Sequence, residues 1–180
     1  DIGALRASII VGCERLFGLA ALALFFALGF VFNKGLMTEL GVPGYLAWVA
    51  MLGALVVFIF ARYLVQRKME LSLRLSFVVF ILSGTGQLFD ILIVFLFGLY
   101  FQADLSINHL LVVMPLVYLA TILPISLGGL GVREGSMVAL LAFLHVDTSV
   151  AILLAFLLYL TKVAVGLIGA VLYNRGEKLE

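Results

Sequence analysis

Uncharged apolar runs long enough to cross a lipid bilayer recur along this chain, separated by short polar clusters. Residues 16–32 hold only Leu, Ala, Phe, Gly and Val, and a helix needs ~20 predominantly apolar residues to span the ~30 Å hydrocarbon core. Asn33, Lys34 and Gly35 end that first span with helix-stopping chemistry. Gly41-Val42-Pro43-Gly44 predicts a turn, with Pro43 placed to start a second span over 44–61. Tyr45, Trp48 and Tyr63 flank it, as interfacial aromatics do. A third span covers 75–103 and is interrupted by Ser83-Gly84-Thr85-Gly86-Gln87 and by Asp90. Its two glycines predict a close helix contact or a local break. A last span covers 150–173. The stretch before it differs. An apolar helix runs from 110 to Leu123, a glycine-rich segment follows, and a second apolar helix covers 135–144. At 1.5 Å per residue that second helix reaches across only about half of the core.

Charge decides how these pieces are threaded. Arg62, Arg67, Lys68 and Arg74, with Glu70 as the lone acid, form the densest positive loop in the chain, which the positive-inside rule puts in the cytoplasm. Segments 102–109 and 145–149 contain no Lys or Arg, so both are expected outside. The chain between them must then enter the membrane and return, either as a re-entrant hairpin or as a full span with an angled return. The economical reading is an all-α integral membrane protein with about four transmembrane helices plus a re-entrant helical hairpin broken at the Gly-rich motif. It is expected to form one domain over 1–180, multi-pass in the cell (cytoplasmic) membrane, with both termini cytoplasmic.

Composition agrees: 65% of residues are hydrophobic, 12% are charged, and mean hydropathy is +1.29. A net charge of +1 leaves no nucleic-acid footprint. The single Cys13 excludes an intrachain disulfide, and His109 and His145 are too isolated to make a metal site. No cofactor and no metal are expected.

Polar residues at membrane depth are the candidate chemistry. Ser83, Gln87 and Asp90 fall at i, i+4 and i+7 on one helical face. A carboxylate there costs about 2.5–3.5 kcal/mol on insertion scales, so it should face protein or water. Two readings stay open for that face: polar glue between helices, or the lining of a cavity. Lys162 lies near the middle of the last span, and Tyr159, Lys162, Gly166, Gly169 and Tyr173 make a face expected to meet the bundle. Gln87, Asp90 and Lys162 are the candidate intramembrane polar network. Two Gly-interrupted segments, 83–87 and 124–135, are the kind of pair that points to a midplane transport site.

The densest signal is Leu123-Pro124-Ile125-Ser126-Leu127-Gly128-Gly129-Leu130-Gly131-Val132-Arg133-Glu134-Gly135. A Gly-rich turn opening a helix aims unpaired N–H groups and the positive end of the dipole at one spot, which suits phosphate or carboxylate. Arg133 adds a planar cation for bidentate phosphate contact. Glu134 can stabilise the helix start, or pair with Arg133 or Lys162. The spacing is not a P-loop, since no Gly-Lys-Ser/Thr follows. The competing view is that the glycines only permit a tight hairpin and the Arg/Glu pair is an internal salt bridge.

Within that stretch, Leu123-Pro124-x-Ser126-x-Gly128-Gly129-x-Gly131-x-Arg133-Glu134-Gly135 resembles the signature of the lysylphosphatidylglycerol synthase transmembrane region, a flippase-like domain family. Glu14-Arg15-Leu16 followed by Gly18-Leu19 is similar to that family's upstream pattern. The resemblance covers most of the chain, and the further N-terminal spans of full members are expected to be missing. It implies a domain that binds and translocates lipids with anionic or modified headgroups, phospholipid or polyprenyl-phosphate-linked. Ser126, Gly128, Gly129, Gly131, Arg133 and Glu134 carry over as headgroup-binding residues. A partner transferase or a homo-oligomer is the expected protein company. Two alternatives differ in kind. A membrane-embedded lipid-phosphate hydrolase or transferase would use Glu134 or Asp90 as base and Arg133 as charge stabiliser. A non-catalytic anchor of a partner transferase would explain the hydrophobicity but not the polar residues at depth.

Overall fold

The computed structural model describes residues 2–39, 41–69, 73–122 and 131–176. Among them are seven helices: α1 (Ile2–Phe32), α2 (Lys34–Glu39), α3 (Tyr45–Met69), α4 (Leu73–Tyr100), α5 (Ile107–Ile122), α6 (Val132–Ala142) and α7 (Thr148–Gly176). Segments Glu14–Phe32, Tyr45–Leu64, Leu73–Tyr100 and Thr148–Leu172 are long and apolar enough to cross a membrane. The chain is an all-helical, multi-pass membrane protein.

Each boundary has a local cause. Asn33 ends α1 and donates from Nδ2 to the carbonyls of Gly29 (2.9 Å) and Asn108 (2.6 Å), which ties α1 to the start of α5. Gly41 supplies a positive φ of 66° in the turn before α3. Ser106 accepts the His109 N–H (3.1 Å) and so caps α5. Asp147 accepts the Ser149 N–H (2.8 Å) and caps α7.

α1 packs against α3, α4 and α5, while α5 also meets α4 and α6, and α7 meets α4 and α6. The main core lies among α4 to α7. Ile91 and Val94 of α4, Val113, Met114 and Val117 of α5, Met137 and Leu141 of α6, and Leu154 and Leu158 of α7 are buried together. α1 and α5 approach closely at Gly29, where a Cβ would stand 2.7 Å from the backbone carbon of Leu111. Pro115 lies one turn further along α5 and has no N–H to offer the Leu111 carbonyl.

Three expectations are revised. The third span is one unbroken helix through Ser83–Gln87. Gly84 faces α1, where an added Cβ would stand at an ordinary contact distance of 3.7 Å from the Ala21 Cβ, and Thr85 donates to the Ile81 carbonyl (2.8 Å) without breaking the helix. The positive segment is mostly helix: Arg62 and Arg67 lie on α3 and Arg74 on α4, with Arg62 Nη1 3.5 Å from the buried Ser76 Oγ. Finally, the small-residue face of α7 meets the bundle only at its first half. Residues 163–172 are exposed throughout, and Gly166 and Gly169 have nothing within 4 Å. The reason is length. The 11-residue α6 can cover only ~16 Å of the 29-residue α7.

α5 and α6, of 16 and 11 residues, pack against each other and are each shorter than the ~30 Å core. Residues 123–130 between them, the tip of the expected hairpin, lie outside the described residues.

Candidate functional site

α4, α5 and α7 bring polar residues to one level. Asp90 is past the middle of α4, Lys162 is at the middle of α7, and Tyr118 is in the last third of α5. Each faces the bundle because a neighbour one turn away, Val94 for Asp90, Met114 for Tyr118 and Leu158 for Lys162, is a core residue. Lys162 Nζ donates to Asp90 Oδ2 at 2.7 Å. The Tyr118 hydroxyl donates to the same oxygen. The ammonium also lies 5.3 Å from the centroid of the Tyr118 ring, within cation–π range. The Asp90 side chain is 13% exposed and that of Lys162 38%. A buried carboxylate is tolerable when it is both paired and hydrogen-bonded, and this one is.

One turn before Asp90, Gln87 Nε2 donates to the Gly18 carbonyl of α1 at 2.9 Å. Its Oε1 is buried and has no hydrogen-bond partner. Reversing the amide would set oxygen against oxygen, so this is the orientation that makes a bond. Ser83 is half-buried. The sequence-predicted network of Gln87, Asp90 and Lys162 is therefore brought together, with Gln87 joined to α1 rather than to the ion pair.

Of the motif residues, Ser126, Gly128 and Gly129 lie outside the described residues. Gly131 takes φ 83°, a left-handed conformation that glycine adopts without strain, and precedes α6. Its N–H donates to Glu134 Oε2 at 2.7 Å. This is half of a capping box, because glycine has no side chain to return the bond. Glu134 thus stabilises the start of α6, favoured by the dipole, and takes up one of the backbone donors expected to face a phosphate. It pairs with neither Arg133 nor Lys162. Arg133 makes no ion pair among the described residues, and its Nε is buried without a partner. The first turn of a helix is electrostatically unfavourable for a cation. Met137, one turn further along α6, is buried in the same core as Val117 and Leu158, and α6 packs against the α5 and α7 that carry Tyr118 and Lys162. Asp90 and Lys162 pair with each other and Glu134 accepts from its own helix start, so Arg133 is the cation of this group without an ion-pair partner among the described residues.

Tyr118 escaped the sequence reading. Its signal was its position: a tyrosine deep in an apolar helix rather than at the interface where such residues gather. Among the described residues no three His, Cys, Asp or Glu side chains come together to hold a metal.

The family model for the lysylphosphatidylglycerol synthase TM region matches residues 1–170. The chain belongs to that family. Membership makes it a membrane domain of a lipid-related family, and places the Gly-rich motif, the ion pair and Tyr118 all within the matched region. No curated protein and no solved structure matches the chain.

Proposed function

We propose that this domain binds and translocates lipids with anionic or modified headgroups, phospholipid or polyprenyl-phosphate-linked, through an intramembrane polar cavity at the Asp90–Lys162–Tyr118 level. The observation that carries the reading is Arg133: a cation at the start of α6, with a buried unpartnered Nε, on a helix packed against the α5 and α7 that carry Tyr118 and the already paired Lys162. A headgroup phosphate satisfies that group with a charge-assisted contact. Glycines 128 and 129 and Ser126 would add backbone and hydroxyl donors. α5 and α6 would form a re-entrant hairpin that carries this tip into the bilayer, which their lengths and mutual packing support. The orientation follows from the basic ends of α3 and α4, which would face the cytoplasm together with both termini.

The test is translocation of a headgroup-labelled anionic lipid by purified protein in proteoliposomes. Wild type moves the lipid, and Arg133→Ala inserts normally but does not. Unimpaired transport by that variant would remove Arg133 from the account. Release of phosphate from a polyprenyl diphosphate would favour an enzyme instead.

A further inference from the structure

On the far side of α5 from the ion pair, α1, α3 and α5 enclose a groove of about 330 Å³. Ala23 of α1 and Ala50 and Gly53 of α3 leave the space, and a Cβ built on Gly53 meets nothing within 4 Å. Leu46 and Val57 mark its extent along α3, and Leu119 closes it from α5. Eleven residues of helix separate Leu46 from Val57, so the groove is ~16 Å long, about half of the ~30 Å core and thus the depth of one leaflet. The empty space between its walls, about 760 Å³, gives a cross-section of at most roughly 47 Å² over that length. A helix ~10 Å across needs roughly 80 Å². Hydrocarbon chains, whose carbons meet their neighbours at ~4 Å, fit it. Its lining residues are all apolar, and cavities of that kind stay dry, so water does not fill it. Both α1 and α3 are of membrane-spanning length here, so the groove opens to the acyl phase.

We infer that this groove is a binding site for the acyl part of a membrane lipid, in the half of the bilayer at the Tyr45 end of α3. It is built from a different face of α5 than the charged cluster and does not depend on that cluster's role. The floor is encoded in the sequence by small residues set between Leu46 and Val57, where bulkier side chains would fill the space.

The experiment reconstitutes the purified chain in phosphatidylcholine nanodiscs doped with a phosphatidylglycerol that carries a photoactivatable diazirine in mid-chain, with labelled positions read by peptide mass spectrometry. Ala50 and Val57 are expected to label several-fold above Leu52 and Val56, which are exposed on α3 outside the groove. Gly53→Phe, which puts a ring in the groove, is expected to bring them down to the level of Leu52. Ala50→Leu fills less space, does the same when read at Val57, and stands in if the first variant does not fold. Equal labelling in wild type, or an excess that survives both substitutions, overturns the inference. Groove residues cross-linked to a second copy in place of lipid overturn it as well. An Arg133→Ala protein that fails to translocate while retaining groove labelling keeps the two sites separate.

Discussion

The two sides of α5 meet opposite surroundings at the same depth. Tyr118 turns to a carboxylate and an ammonium, whereas Leu119, the next residue, lines an apolar groove. Successive helical residues point ~100° apart, so one position separates the two. On the polar side Asp90 and Lys162 answer each other's charge within the protein. On the apolar side the membrane itself can fill what side chains leave open. That difference predicts where substitutions are costly. Polar-side changes strand groups that lipid cannot satisfy, and groove-side changes only exchange one apolar contact for another.

The sharpest break in that comparison is Asp90→Ala. It leaves Lys162 and the Tyr118 hydroxyl without their common partner. Because Lys162 is 38% exposed, the expected loss is about 2–3 kcal/mol, below the 3–5 typical of a fully buried pair. A lower melting temperature in detergent checks it, and unchanged melting would mean the pair is solvated. Next comes Gly29→Val, which drives atoms into the Leu111 backbone at the contact that holds α5 in place for both sides. The expected cost is ~2 kcal/mol with loosened α1–α5 packing, read as faster proteolysis or hydrogen exchange near Leu111. Tyr118→Phe removes one bond to a charged acceptor but keeps the ring under Lys162, for about 1.5 kcal/mol. Smallest is Gln87→Met. It deletes one bond to Gly18 together with an acceptor that is already unsatisfied, so stability should change by less than ~0.5 kcal/mol. A large loss there would show that Gln87 Oε1 has a partner, such as an ordered water.

Much of this was legible in the residues. Long, predominantly apolar runs marked the four long helices, because hydrocarbon admits little else. Asp90 and Lys162 were legible as inward-facing members of one polar network for the same energetic reason, while the choice of Asp90 over Glu134 as the partner of Lys162 came from the packing of α4 against α7. Other features were not. Gly84 and Gly86 read alike, yet Gly84 packs against Ala21 and Gly86 meets nothing within 4 Å, which depends on the rotation of α4 against α1. The exposed second half of α7 depended on how far α6 reaches. Glu134 had three plausible partners in sequence, and the choice of Gly131 was a matter of local backbone geometry at the start of α6. The groove was hidden because Ala50 and Gly53 carry no signal until α1 and α5 stand beside them.

The central claim is that the polar cluster serves translocation rather than packing. The most direct test is the double variant Asp90→Asn with Lys162→Met, which removes both charges and leaves neither one stranded. Replacing a buried ion pair by uncharged groups of similar size is often neutral for stability, so this variant should melt close to wild type. The account predicts that it nevertheless fails to move a headgroup-labelled anionic lipid in proteoliposomes. Wild-type translocation by a folded double variant would contradict it and leave the ion pair as structural glue.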